Sequence, residues 1–429
     1  MRISRLAWCM VLAGLPLPAA AQDWKTRLSA VIARAIAQNP EIANRESQIE
    51  AAGHRVGQAL ALPDPEIEMG IQDVPLSDFS LRRDDFTMEK ITARQRIPGA
   101  GKRPAQKRSA EAERESLLAM HTDHVERLSA AVADAFFSVA ELDTRVSILE
   151  KSRERLRRVA ESAAERYRVG KGAQPDVLRA NLEITSIDER VMALRGERRS
   201  AVARLNALQA QPADEPVESI SIPEADPIAP STAELLRRAW DQSPMIAAAQ
   251  AEVRVAEEKS NLARLERRPD FTAMAYYAHR ISFEDLVGAS VALNLPFLQP
   301  KRLREREAER EAELSGARAS LEMVKNEIRR NVEEAYANLD RSREQARLYV
   351  GSILPQAETN ASAAREAYAV GQIDFLTYVR AAIDRDTYEG ELAMRRADAW
   401  RALAALQAAS GLPLVPGTPA IGGVDARNE

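Results

Sequence analysis

Polar and apolar positions follow two different periods along this chain, and the order of the periods is written twice. Ile67, Met69 and Ile71 alternate with Glu66, Glu68 and Gly70, and Val287, Ala289, Val291, Leu293 and Leu295 alternate with Gly288, Ser290, Ala292 and Asn294. A period of two gives a strand two unlike faces. Residues 86–97 alternate less cleanly, because Lys90, Arg94 and Arg96 share a face with Phe86 and Met88, and they too are read as a strand. A different rhythm runs through Leu128, Val132, Ala135, Val139, Leu142, Val146 and Leu149, which step alternately by four and three. That is the heptad seam of a left-handed coiled coil. Leu314, Ala317, Leu321, Val324, Ile328, Ala335 and Leu339 repeat it within a stretch reaching from 300 to 365. At about 1.5 Å per residue, such helices are rods on the order of 100 Å, too long to bury in a compact monomer.

The repetition is visible residue by residue. Asn39-Pro40-Glu41-Ile42 matches Ser243-Pro244-Met245-Ile246 at a spacing of 204, as Pro65-Glu66-Ile67 matches Pro269-Asp270-Phe271. Ile97-Pro98 matches Leu295-Pro296, with Lys102-Arg103 and Lys301-Arg302 close behind. Tyr167-x-Val169-Gly170 matches Tyr368-x-Val370-Gly371 at a spacing of 201. Two copies of so long a unit make a pseudo-symmetric pair and not a solenoid. The expected plan is a first repeat over 22–211, a Pro-rich acidic linker over 212–230 and a second repeat over 231–414, with a disordered tail over 415–429. Each repeat is predicted to run helix, strand pair, long helical hairpin. The first opening helix is placed at about 44–60 and ends at Pro63-Asp64-Pro65, where proline cannot continue it. The strand pairs are placed at about 65–97 and 269–296, the hairpin tips at about 167–178 and 368–379.

Composition fits this plan: 29% of residues are charged and 5% aromatic, as in salt-bridged helices. No basic domain or basic-aromatic interleaving points to nucleic acid. The N-terminus reads as a secretory leader over 1–21, with Arg2 and Arg5, an apolar run from Leu6 to Leu17 and Ala19-Ala20-Ala21 before the cut. The single cysteine, Cys9, lies inside that run, so neither a lipid anchor nor a disulfide is expected. No later stretch approaches the roughly 20 apolar residues of a membrane helix, so a membrane-spanning part must be made of strands. Four strands per chain cannot close a barrel, and open edges cannot face lipid, so sister chains must complete it. Two chains would fill an eight-stranded interior with side chains, whereas three leave a lumen.

These residues resemble the TolC-like outer-membrane efflux family across essentially the whole mature chain. The resemblance rests on the duplicated plan, the Pro-containing start of each strand pair and the two Tyr-x-x-Gly tips. Leu62-Pro63-Asp64-Pro65, Val74-Pro75-Leu76 and Arg96-Ile97-Pro98-Gly99-x-Gly101-Lys102-Arg103 resemble its heavy-metal branch. The resemblance implies a mainly α fold with a small β part: a homotrimer with a twelve-stranded barrel in outer-membrane lipid and a periplasmic helical barrel. It implies a passive exit duct for heavy-metal cations, working with a periplasmic adaptor and an inner-membrane resistance-nodulation-division pump. Tyr167, Arg168, Val169, Gly170, Tyr368, Val370 and Gly371 would then be adaptor-docking tips as well as turns, glycine allowing left-handed geometry there. Asp176 resembles the acids that ring the pore entrance and focus cations, and it is equally a first-turn or N-cap acid after Pro175. The second tip departs from the acidic pattern, with Thr377 and Arg380 near Asp374.

His121 and His124, beside Asp123, have a spacing that suits a metal, yet polar residues on an exposed helix face need no such role. No phosphate cradle, cysteine cluster or nucleophile constellation occurs, so no enzyme, no cofactor and no resident metal is expected. The rival from another class is a secreted periplasmic coiled-coil adaptor or scaffold, which accounts for the rods but not for the strand pairs.

Overall fold

The computed structural model describes residues 19–418 except 77, 78, 171, 225 and 417. Its elements are α1 (Ala19–Gln38), α2 (Pro40–Ala59), β1 (Glu66–Gln72), β2 (Met88–Ile97), α3 (Lys102–Arg168), α4 (Gln174–Leu208), α5 (Thr232–Gln242), α6 (Pro244–Leu265), β3 (Asp270–His279), β4 (Leu286–Asn294), α7 (Pro300–Leu348), α8 (Leu354–Ala369) and α9 (Phe375–Ser410). The predicted leader and tail lie mostly outside the described residues, and residues 19–21 belong to α1.

Three sequence expectations are corrected. Each half opens on two helices and not one, because Pro40 and Pro244 sit at the first helical position, where a missing N–H costs nothing and a new helix begins. The second strand starts at Met88; Phe86 lies in the preceding turn, its amide donating to Asp84 Oδ1 at 3.0 Å. The long helix of the second half is interrupted at Tyr349–Ile353 by a π turn, followed by Pro355, whereas α3 runs 67 residues without a break.

The chain forms two compact units, to each of which both halves contribute. One comprises Ala43–Asp123 and Trp240–Ile328. It holds the only sheet among the described residues, antiparallel in the order β1-β2-β3-β4. Helix α6 is braced on one side by Arg108–Glu258, Arg254–Glu115 and Lys259–Glu113 to α3, and on the other by Arg264–Glu311 and Arg318–Glu257 to α7, with Arg267–Glu307 added just past its end. These pairs are largely exposed and each contributes little alone, so the helices are held by number and packing.

The other unit contains the residues up to Ile42, His124–Ala239 and Arg329 onward. Its core is aromatic: Trp24 meets Trp400 edge-on at 4.9 Å, and Phe137 stacks on Trp400 at 5.3 Å. Leu128, Val132, Ala135, Val139 and Leu142 are buried, as the heptad reading requires, but so are Phe136, Phe137 and Ala140. Here α3 is enclosed on more sides than a two-stranded seam demands. The linker is strapped down by Asp143, which accepts from Arg198 and from the Ile220 amide, while Arg198 also donates to Val217 O. Helix α9 ends at left-handed Gly411, and the buried Gln407 side chain receives the amides of Leu414 and Val415.

Candidate functional site

The register assigns every strand residue to a face, since cross-strand partners share one. One face carries Ile67, Met69, Ile71, Ile91, Ala93, Ile97, Phe271, Ala273, Ala275, Tyr277, Val287, Ala289, Val291 and Leu293, with Glu89 and His279 at its turn end and Gln95 toward the helix side. Its large apolar members are solvent-exposed, up to 81% for Val287. The other face carries Glu66, Glu68, Gln72, Lys90, Thr92, Arg94, Arg96, Asp270, Thr272, Gly288, Ser290 and Asn294, interleaved with Met88, Met274, Tyr276, Ala278 and Leu286. An apolar face without cover in a sheet whose opposite face is charged is the inverse of a soluble sheet packed on a core. More exposed apolar residues flank both ends: Phe79, Phe86, Ile281 and Phe283 at the turns, and Leu62, Leu295, Phe297 and Leu298 at the helix side. Strands β2 to β4 have nine or ten residues, the span of a tilted membrane strand, while β1 has seven. Strands β1 and β4 are the sheet's edges. No helix among the described residues is long and apolar enough to cross a membrane.

On the polar face the charges answer one another. Glu68 pairs with Arg94 at 2.5 Å, and Lys90 sits 4.4 Å from the Tyr276 ring. At the helix side Asp270 accepts from Arg96 Nη2 at 2.9 Å, Lys102 Nζ at 2.7 Å and the Gly99 amide at 2.8 Å. This explains the Arg-Ile-Pro-Gly-x-Gly-Lys motif: Gly99 approaches so closely that a Cβ would lie 2.7 Å from Pro269 O, and Gly101 has a φ of +88°. Sequence reasoning missed the role of Asp270, although its place directly after Pro269 marked it.

The two tips turn as expected. Gly170 and Gly371 have φ values of +73° and +77°, and their amides donate to Tyr167 O and Tyr368 O. Tyr167, Arg168, Val169 and Val370 are exposed, and Arg168 pairs with Glu165 three residues back. Asp176 lies in the first turn of α4; the cap itself is Ala173, with no side-chain bond. Asp374 caps α9, accepting the Thr377 amide at 2.7 Å. That amide, then the Thr377 hydroxyl, holds the Asp374 carboxyl below its ordinary range against a small opposing effect of burial, and Arg380 adds to the lowering. Of the entrance residues, Asp374, Thr377 and Arg380 thus come together and Asp176 stands on the other tip.

Behind the second tip, Tyr368 stacks on Tyr378 at 5.4 Å and meets Phe375 edge-on at 5.7 Å, with Arg166 5.1 Å from its ring. Phe375 and Val379 are buried among Leu156, Ala160 and Ala163 of α3 and Ala180, Ile187 and Val191 of α4. Farther along, buried Asp386 accepts from Arg155 and Arg385, and Arg385 also reaches Glu358 and Glu389. Burial opposes charge on Arg385, but its hydrogen bonds to Asp386 and Glu358 prevail and raise its pKa. His124 lies 3.4 Å from Glu41, and no group of three or more metal-ligating side chains occurs among the described residues.

Comparison with known proteins matches the family described as "Outer membrane efflux protein" to residues 31–211 and 235–412. The cobalt-zinc-cadmium resistance protein CzcC of Cupriavidus metallidurans is 26% identical over 354 residues, 81% of each chain. Among solved structures, the outer-membrane channel OprN superposes with a TM-score of 0.76 at 18% identity, covering 92% of both chains. The outer membrane protein VceC of Vibrio cholerae gives 0.75 at 18% identity, covering 92% of this chain and 99% of its own. These two likenesses are likenesses of fold.

Proposed function

We propose that this chain, which belongs to the outer membrane efflux protein family, is one protomer of a passive homotrimeric exit duct for divalent heavy-metal cations. The observation that carries the reading is the sheet: an uncovered apolar face, a charged opposite face and two edges, β1 and β4, in one antiparallel chain. Lipid offers no hydrogen bonds to those edges, so they must pair with sister strands. Because the strands alternate in direction, β4 of one copy meets β1 of the next antiparallel, and three copies make twelve strands around a water-filled lumen. Glu66, Glu68 and Asp270 balance Lys90, Arg94 and Arg96 on the lumen face, so the wall opposes neither sign of charge.

The helices extend on the periplasmic side after removal of a leader over residues 1–21, without a lipid anchor. Tyr167, Arg168, Val169, Gly170, Tyr368, Val370 and Gly371 meet a periplasmic adaptor there. Asp176, Asp374, Thr377 and Arg380 border the pore entrance. Energy comes from an inner-membrane resistance-nodulation-division pump. The metal cargo rests on the name of the relative CzcC, a cobalt-zinc-cadmium resistance protein. The test is extraction from outer membranes in mild detergent followed by planar-bilayer recording. Trimers that conduct, together with zinc, cobalt or cadmium sensitivity of a deletion strain, support the reading. A monomer without conductance refutes the duct, and unchanged metal sensitivity refutes the cargo.

A further inference from the structure

A cavity of about 670 Å³ lies in the unit built from α3, α8, α9 and the linker, and none of its lining residues belongs to a strand or to a hairpin tip. One wall is the linker itself, from Ser219 to Ile222. That wall is fixed in place: the Ile220 amide donates to Asp143 Oδ2 at 3.0 Å, Ser219 O accepts from Arg27 Nη1 at 2.9 Å, and Asp226 accepts from Arg347 Nε at 3.4 Å. Another wall begins at Val350 in the π turn and continues through Leu354 and Pro355 at the start of α8. A π turn widens a helix locally and occurs frequently at functional sites. Helix α3 runs unbroken through the matching place in the first repeat.

Apolar and charged groups share the lining. Ile148, Ile222, Leu354, Pro355 and Leu392 make an apolar surface. Four carboxylates reach the cavity, and three are already engaged: Asp143 by Arg198 and the Ile220 amide, Glu358 and Glu389 by Arg385. Arg385 is in turn spent on them and on Asp386. Lys151 and Arg396 line the same cavity and make no hydrogen bond or ion pair with any described residue, and the hydroxyls of Ser147, Ser219 and Ser221 make none either. The remaining acid, Glu224, is exposed on the linker. Two unspent cations among hydroxyl donors suit an oxyanion and repel a metal cation. A bare inorganic anion would leave the apolar surface wet, so the ligand that fits also has a hydrocarbon body. The volume falls within the roughly 300–1,000 Å³ of small-molecule sites.

We infer that this cavity binds an amphipathic organic anion, with its carboxylate or sulfonate held by Lys151 and Arg396 and its hydrocarbon body against Ile148, Leu354 and Leu392. Such a ligand bridges α3 of the first repeat to α8 and α9 of the second, so its binding stiffens the joint between the repeats.

The test uses the full chain in lipid nanodiscs, titrated calorimetrically with naphthoate against a baseline of empty nanodiscs. Naphthamide and naphthylmethylammonium carry the same hydrocarbon body without the negative charge. Naphthoate should saturate one site per chain, and both companions should bind about tenfold or more weakly, the loss of a charge-assisted contact. Lys151→Gln with Arg396→Gln should weaken naphthoate by about the same factor and leave naphthamide as it was. Ser147→Trp, at an exposed position lining the cavity, should block naphthoate while circular dichroism stays that of the unsubstituted protein. Equal affinity for the three probes, naphthoate binding unchanged in the double glutamine variant, or no saturable naphthoate binding overturns the site. The readout is binding and not conductance, so a chain that binds naphthoate in this pattern but does not conduct keeps the site and loses the duct.

Discussion

The ring of Tyr276 on β3 lies across Gly288 on β4, so closely that a Cβ at Gly288 would come within 2.4 Å of its Cε1 and Cζ atoms. On the other side Lys90 of β2 sits 4.4 Å from the same ring. A tyrosine thus fills the space of a missing side chain and is held flat along the charged face.

Gly288→Ala should tip Tyr276 out of that position, and since a ring end can rotate away, thermal stability should change little. In the proposed duct the displaced ring projects into the lumen, so single-channel conductance should fall. Tyr276→Ala in the same chain should restore it. A conductance unchanged by Gly288→Ala would mean that this face does not line the path.

Asp270 ties the end of the strands to the start of α3 through Lys102, and both are about 8% exposed. Asp270→Ala leaves the Lys102 ammonium buried with only Arg268 O as acceptor. Loss of one partner of a buried pair costs about 3 kcal/mol. The thermal unfolding midpoint should drop by several degrees, more than for Glu68→Ala, whose partner Arg94 is exposed to solvent.

At the first tip, Gly170→Leu forces a branched side chain into left-handed geometry, with a cost on the order of 1–3 kcal/mol confined to the turn. Trimers should persist while metal export and adaptor cross-linking fail. Adaptor cross-linking at the native level in this variant removes the docking role.

Asp374 has a carboxyl held below its ordinary range in the folded chain by the Thr377 amide and hydroxyl. A depressed folded pKa adds stability above the unfolded pKa, which is about 3.9, and that stability is lost as pH falls through the lower folded value. Hydrogen exchange of the 374–378 amides should therefore quicken as pH drops below about 4 relative to the intrinsic rate. Asp374→Ala should show the quickened rate at every pH.

The fold was legible where one period persists. The alternation at 287–294 required a strand with two different faces, and the steps of Leu128 to Leu142 required a buried seam; both are set by nearest neighbours on a regular element. The split at Asn39-Pro40 had a local signal, since proline at a first helical position favours a new helix start, but the same residue is equally compatible with a loop before a single helix. The π turn at Tyr349–Ile353 had only Gly351 and Pro355 nearby to announce it, and neither is specific. The opposite burial of Leu178 and Val379 could not be read at all, because both are apolar residues at the same place in the repeat and burial depends on what packs against each helix.

The central claim is that one face of the sheet meets lipid and the other water. Single cysteines at Val287, Gly288, Ala289, Ser290, Val291, Ala292 and Leu293, placed one at a time in purified protein reconstituted into vesicles, test it directly. Labelled with a fluorophore, Val287, Ala289, Val291 and Leu293 should be quenched by a quencher carried on lipid chains, and Gly288, Ser290 and Ala292 by a water-soluble one. Equal quenching of both sets, or the reverse alternation, would contradict the account.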